Sequence, residues 1–231
     1  MIDASSFAVH HSAFWADYTP TSEYFVRRLN LEYAERWSTP LDKPKEQIRA
    51  ALVAELAFSR FCAKLEGTPD TEAMESALKD AVKRLRPLMD DPVTLGAQLS
   101  KSEVKQISGL EANLRSFISS RGGKSSARPL FHGCGYIDAS EGDILSGSCL
   151  FEVKAVDRPF RSADVRQLVT YCALNHASGQ FRLENMGVLN PRRGLYFEMP
   201  IDEVSREISG RSGQELLDSI VHAVSSGDIS R

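Results

Sequence analysis

Apolar residues in the first half of the chain recur at helical spacing, and after about residue 122 they contract into short strand-like runs. The segment TSEYFVRRLNLEYAERW (21–37) has a Thr/Ser start and places Phe25, Leu29, Tyr33 and Trp37 one turn apart, which predicts a helix with one apolar face. KPKEQIRAALVAELAFSRFCAKLEG predicts a second, longer helix from Lys45 to Leu65, stopped by Gly67. Its apolar residues run around much of the circumference through Ile48, Leu52, Val53, Leu56, Ala57, Phe58, Phe61 and Cys62. Each large side chain left in water would forgo about 1.5–3 kcal/mol. The helix must therefore be covered on more than one side, by its neighbours, by the core or by a second copy. Thr68-Pro69 opens a third helix over TEAMESALKDAVKRLRPLM (71–89). A fourth runs from Ser100, where Ser100 and Glu103 form a capping box, to Gly122.

The stretch RGGKSSARP reads as flexible, and strand composition follows it in LFHGCGYID, GDILSGSCLFEVKAV, MGVLN and GLYFEMP. SADVRQLVTYCALNHA predicts an intervening helix whose core side is Val165, Leu168, Val169 and Cys172. A terminal helix opens on Ser212 and Glu215, a second capping box. Helices followed by strand–strand–strand–helix–strand–strand–helix predict an α/β (α+β) fold, with a helical N-terminal region over 1–98 and a core over 99–231.

Composition narrows the class. The 231 residues are 42% hydrophobic and 26% charged, as in globular proteins, and no apolar run is long enough to span a bilayer. The N-terminus lacks a basic flank with an apolar stretch, so no signal peptide is expected and the location expected is cytoplasmic. Cys62, Cys134, Cys149 and Cys172 are scattered, which argues against a zinc ribbon or clustered iron–sulfur site. The net charge of −3 means that a nucleic acid must be met by a local patch. Local basic groups are Arg121, Lys124 and Arg128, then Arg158, Arg161 and Arg166, then Arg192 with Arg193 in a turn.

The chemistry concentrates in GDILSGSCLFEVKAV. Gly147-Ser148 is a two-residue hairpin signal, and a turn there sets Ser146 against Cys149, Leu145 against Leu150, Ile144 against Phe151 and Asp143 against Glu152. Alternation puts Lys154 on the face of Glu152. Two opposed carboxylates destabilise a sheet unless something reverses the repulsion, and a divalent cation bound by oxygen ligands does so. Two acids, a Lys and a divalent cation are the parts needed for metal-assisted phosphodiester hydrolysis. The triplet alone is weak, for Glu103-Val104-Lys105 repeats it in a helix with no acid opposite. The remaining motifs are weaker. His132-Gly133-Cys134-Gly135 precedes a strand and is no phosphate loop. Ser76 and Lys79 match S-x-x-K by chance in a charged helix, and His10-His11 read as a tail.

Asp143, then Glu152-Val153-Lys154, then a helix bearing Gln167-Leu168-Val169-Thr170-Tyr171 resembles the RecB-like branch of the PD-(D/E)XK nuclease superfamily, over roughly Leu130 to Pro200. The resemblance implies a restriction-endonuclease-like αβββαβ core and one or two Mg²⁺ ions, for which Mn²⁺ can substitute. It implies Asp143, Glu152 and the Val153 carbonyl as metal ligands and Lys154 as the residue assisting water. Gln167 and Tyr171 then look toward the DNA and brace the site. Apart from the resemblance, Arg158, Arg161 and Arg166, which follow the strand bearing Glu152, are expected to bind nucleic acid with Gln167. The chain departs from the pattern in having Gly142 rather than Pro before Asp143. Asp138 and Glu141 are rivals for the first acid, and Glu111 is the candidate for a further acid from the upstream helix. The distal Cys cluster of iron–sulfur members is absent.

The function expected is Mg²⁺-dependent hydrolysis of DNA, in a setting such as bacterial anti-phage defence, restriction or repair. The helical N-terminal region is expected to meet a partner protein or a second copy, with no membrane contact. One alternative is a non-cleaving DNA-binding or assembly subunit that keeps the fold. Another is a helical interaction protein whose C-terminal half only supports folding.

Overall fold

The computed structural model describes residues 1–44, 46–88 and 98–227. Three short helices begin the chain: α1 (Ala4–His10), α2 (Ser12–Tyr18) and α3 (Ser22–Arg28). A two-residue strand, β1 (Glu35–Arg36), follows. Next come α4 (Ala50–Leu65), α5 (Asp70–Leu85) and α6 (Lys101–Arg121). Strands β2 (Ser125–Ala127), β3 (Leu130–Phe131), β4 (Ser140–Glu141), β5 (Ile144–Ser146) and β6 (Cys149–Val153) lead to α7 (Ser162–Ser178). The chain then forms β7 (Asn185–Asn190), β8 (Leu195–Pro200), α8 (Ile201–Ser209) and α9 (Gly213–Ser226).

Six strands make one mixed sheet in the order β1-β8-β7-β6-β5-β2. Only β6 and β7 run parallel, and α7 is the crossover between them. The predicted hairpin register holds over three of its four rungs: Gly147 supplies the positive φ of the turn, Ile144, Leu145 and Ser146 pair with Phe151, Leu150 and Cys149, and the ladder stops before Asp143 and Glu152. Gly187 in β7 lets Phe151 pack flat beneath the strand, since a Cβ there would lie 2.6 Å from that ring and 2.3 Å from the Phe197 carbonyl.

The sheet is covered on both faces. On one side Leu150, Met186, Val188 and Phe197 join Phe7, Trp15 and Phe25 of α1–α3 and the inner faces of α7, α8 and α9. On the other, Phe151, Cys149 and Leu189 meet Phe58 and Phe61 of α4 and Leu114 and Phe117 of α6. A third cluster ties α4, α5 and α6 through Leu52, Leu56, Ala77, Ala81 and Leu110. The wide apolar surface of α4 is thus covered by α5, α6 and the sheet together.

Both capping boxes form as expected, at Ser100/Glu103 and at Ser212/Glu215. Glu103 does more than cap: its carboxylate also takes Arg49 at 2.7 Å, anchoring the start of α4 to the start of α6. The bond from Arg49 holds Glu103 down at about 2, against the opposing effect of burial. A depressed carboxylate stabilises above its unfolded value of about 4.3. That contribution is lost as pH falls toward 2. We expect Glu103→Ala to cost about 2 kcal/mol near neutral pH, through the lost cap and the exposed arginine. The difference from wild type should shrink in acid, as read by urea unfolding at several pH values.

Six expectations need correction. The helix over 21–37 stops early: it ends in a π-helical turn at Leu29–Tyr33, and Glu35–Arg36 instead pair with Tyr196 and Leu195 at the sheet edge. The helix expected from Lys45 begins at Ala50, Lys45 itself lying outside the described residues. The third helix gives way to a 3-10 turn at Arg86–Leu88, with Met89 outside the described residues. RGGKSSAR is not simply flexible, because Ser125–Ala127 pair with β5. His10-His11 is not a tail either: His11 is buried against Phe7 between two docked helices. LFHGCGYID yields only β3, paired with β4. Helix α8 went unread although Ile201, Val204 and Ile208 sit on one buried side.

Candidate active site

At one end of the sheet the N-terminal end of β5 meets the C-terminal end of β6. Asp143 stands one residue before the last paired rung, Ile144 with Phe151. Its carbonyl accepts from Arg128 N–H at 2.8 Å, and its Oδ2 accepts from the Val153 N–H at 2.6 Å. A strand residue turns its N–H and C=O to the same side, so the Val153 carbonyl also faces the Asp143 side of β6. Glu152, only 4% exposed, and Lys154 alternate onto the α7 face of the sheet.

Lys154 and α7 build a chain of contacts. Lys154 Nζ donates to Glu152 Oε1 at 2.7 Å and to Gln167 Oε1 at 2.9 Å. An ammonium offers no acceptor, so Gln167 must turn its oxygen to it, which leaves Nε2 to donate to the Tyr171 hydroxyl at 2.9 Å. Gln167 and Tyr171 lie one turn apart on α7, and the Tyr171 ring stacks on Phe131. Asp164 in the first turn of α7 lies 4.0 Å from Lys154 and is gripped by Arg158 through both guanidinium nitrogens, at 2.7 and 2.9 Å.

The electrostatics are unbalanced. Desolvation, then the Glu152 carboxylate, pushes the Asp143 carboxyl well above its ordinary range, and the Val153 N–H offsets only part of this. Burial pulls Lys154 down, but Glu152 and Asp143 more than offset it, and its ammonium is held above its usual value. Burial, reinforced by both acids, pushes the Tyr171 phenol up, so it keeps its proton. Glu152 Oε2 is buried and accepts no hydrogen bond.

The structure therefore brings Asp143, Glu152, Lys154, Gln167 and Tyr171 together. Of the basic residues expected beside them, Arg158 is committed to Asp164, and Arg166 reaches Ser22 at 3.2 Å and Glu23 at 3.7 Å, while Arg161 is exposed. Glu141 is paired with Arg84, and the Asp138 backbone is tied to Ile2. Glu111 is buried against Lys64 at 3.0 Å and Arg60 at 3.5 Å.

One acid was missed in the sequence. Glu55 of α4 lines a cleft of about 570 Å³ together with Asp143, Asp80, Arg84 and Arg128. It contributes to the upward push on Asp143, and burial raises its own carboxyl, against the pull of Arg128 and Arg84. Its position on α4, nearly ninety residues before Asp143, left no local signal. No protein-family model matches the chain, and no curated protein matches it.

Proposed function

We propose that this chain is a divalent-metal-dependent nuclease of the PD-(D/E)XK kind that hydrolyses DNA phosphodiester bonds. The observation that carries the reading is the unpaired, buried Glu152 Oε2 beside an Asp143 carboxyl that resists ionisation. Such a site lacks one thing, a concentrated positive charge reached by oxygen ligands. Asp143, Glu152 and the Val153 carbonyl are hard donors of the type that suits Mg²⁺ or Mn²⁺. Among the described residues no third His, Cys, Asp or Glu completes a metal-holding group with them, so a cation held there would need water or a substrate phosphate as further ligands. Within the six-stranded sheet, and leaving aside the separate β3–β4 pair inserted between β2 and β5, the order α6, β2, β5, β6, α7, β7 with β7 parallel to β6 supports the reading, since it matches αβββαβ.

When bound, the cation makes hydroxide available near neutral pH and shields charge on the phosphate. The side chains supply the rest. Lys154 stays protonated, so it is no general base. Two of its three N–H groups are used, and the third can hold the attacking water or a phosphate oxygen. Gln167 fixes the ammonium, and Tyr171 fixes Gln167. The test is incubation with single-stranded DNA, double-stranded DNA and RNA in Mg²⁺, Mn²⁺ and EDTA. Metal-dependent cleavage supports the proposal. Metal binding with no cleavage of any substrate would favour a non-cleaving DNA-binding or assembly subunit.

A pH-dependent effect of metal on stability follows. Because the folded Asp143 carboxyl titrates above its unfolded value, folding holds its proton more tightly. Without metal, stability falls as pH rises through the folded value. Ligand carboxylates must be deprotonated, so the cation opposes that fall. Millimolar Mn²⁺ should raise the Tm more at about pH 8 than at about pH 5.5, and a concentration about 100 times Kd adds roughly 2.7 kcal/mol of stability at the higher pH. An equal or absent shift at the two pH values, measured by scanning calorimetry, counts against the site.

A further inference from the structure

A second cleft, of about 780 Å³, begins one residue beyond Lys154, where Ala155, Val156 and Asp157 leave the end of β6. Its other walls come from the β7–β8 turn, from the loop after β1 and from the start of α4. Four cations line it, Arg36, Lys43, Arg192 and Arg193, against the single acid Asp157. That is a local excess of three positive charges in a chain whose net charge is −3. Lys43 meets Asp157 at 3.1 Å with both side chains mostly exposed, a pair that water and salt readily loosen. Arg192 is held in place by the Ala155 carbonyl at 3.2 Å and Gln106 at 2.6 Å, with no carboxylate among the described residues within ion-pair distance. Arg36 donates to the Arg193 carbonyl at 2.8 Å, which fixes the turn. Aliphatic side chains, Leu41, Ile48 and Val156, line it beside the cations.

We infer that this cleft binds single-stranded nucleic acid, the stretch of substrate strand flanking the phosphate at the Asp143–Lys154 site. The inference rests on the nuclease reading of that neighbouring site. The cations match a phosphate backbone, and the aliphatic side chains offer unpaired bases apolar contact that does not read their sequence. The volume is that of a pocket for a small ligand, which admits a short length of one strand and not a double helix. The bonds on Arg192 order one cation before any ligand arrives, which lowers the ordering cost of binding.

The test measures binding with cleavage silenced. Fluorescence anisotropy in EDTA compares labelled 20-mers of dT, of U and a 20-bp duplex on the full chain, on Asp143→Asn and on Lys43→Glu/Arg193→Glu. We expect wild type and Asp143→Asn to bind the single strands alike. The charge-reversed variant should bind at least 10-fold more weakly, with its salt slope reduced by roughly 1.4, about 0.7 for each lost contact. If its melting temperature shows that charge reversal disturbs folding, Lys43→Gln/Arg193→Gln should still weaken binding at least 3-fold. Unchanged affinity in the charge variants overturns the inference, as does tighter binding of the duplex or no binding at all. Cleavage by wild type with unchanged binding in the variants removes only the cleft assignment. Weakened binding in the variants without cleavage by any chain removes only the nuclease reading.

Discussion

Asp143→Asn should leave a chain that is more stable than wild type in EDTA and at least about 10³-fold slower in metal-dependent cleavage. The two effects share a cause. Burial and the facing Glu152 make the Asp143 charge costly in the metal-free protein. The amide removes that charge, and its oxygen can still accept the Val153 N–H that now reaches Oδ2. Catalysis loses one anionic ligand, and several kcal/mol of metal-borne transition-state stabilisation at about 1.4 kcal/mol per factor of ten gives the expected drop. Thermal unfolding at about pH 8 in EDTA and initial cleavage rates in Mg²⁺ check both halves. Asp138→Asn is the control and should cleave normally, since the Asp138 backbone is tied to Ile2 rather than to β6. A dead Asp138→Asn beside an active Asp143→Asn would show that the acid had been misassigned.

Lys154→Met should behave in the opposite way, inactive and markedly less stable. Lys154 is the cation on Glu152, which is almost fully buried and has one oxygen already unsatisfied. Removing it leaves an uncompensated buried carboxylate, at about 3–5 kcal/mol. For a chain of this size that corresponds to a Tm lowered by roughly 6–20 °C. The loss belongs to the pair. The double variant Glu152→Gln/Lys154→Met should recover most of it while remaining inactive, giving a coupling of about 2 kcal/mol or more in a double-mutant cycle. Additive single effects would mean that Lys154 stabilises by packing its methylenes and not by its charge.

The hairpin was legible in the sequence because its information is local. Gly147-Ser148 fixes a turn, a turn fixes a register, and a register of period two decides which side chains share a face. The capping boxes at Ser100 and Ser212 were legible for the same reason. What escaped depends on partners distant in sequence. Glu35–Arg36 form a strand because β8 offers an open edge, which no pattern around residue 35 reveals. Glu55 joins the Asp143 cleft because α4 crosses the end of β5, and Glu111 is buried because Arg60 and Lys64 come to it from α4. Arg128 looked like a loop charge and is an ion-pair hub for Glu55 and Asp80. Helix α8 is a different case: its signal was present, and the strand before it ends on the very residue, Pro200, that precedes the helix.

The parallel pairing of β6 with β7 asks more of the chain than the hairpin does. A two-residue hairpin such as β5–β6 closes in about 1–10 μs, whereas a parallel partner must wait until a whole crossover has been laid down. Val153 and its partner Leu189 are separated in sequence by the whole of α7. Asp143 and Glu152 therefore come together early, in water, where their repulsion is weak, and Lys154 is locked onto Gln167 late. A ribosome-bound chain truncated before β7 would carry the carboxylates but neither the crossover's docking strand nor the dry surroundings that make them chemically unusual.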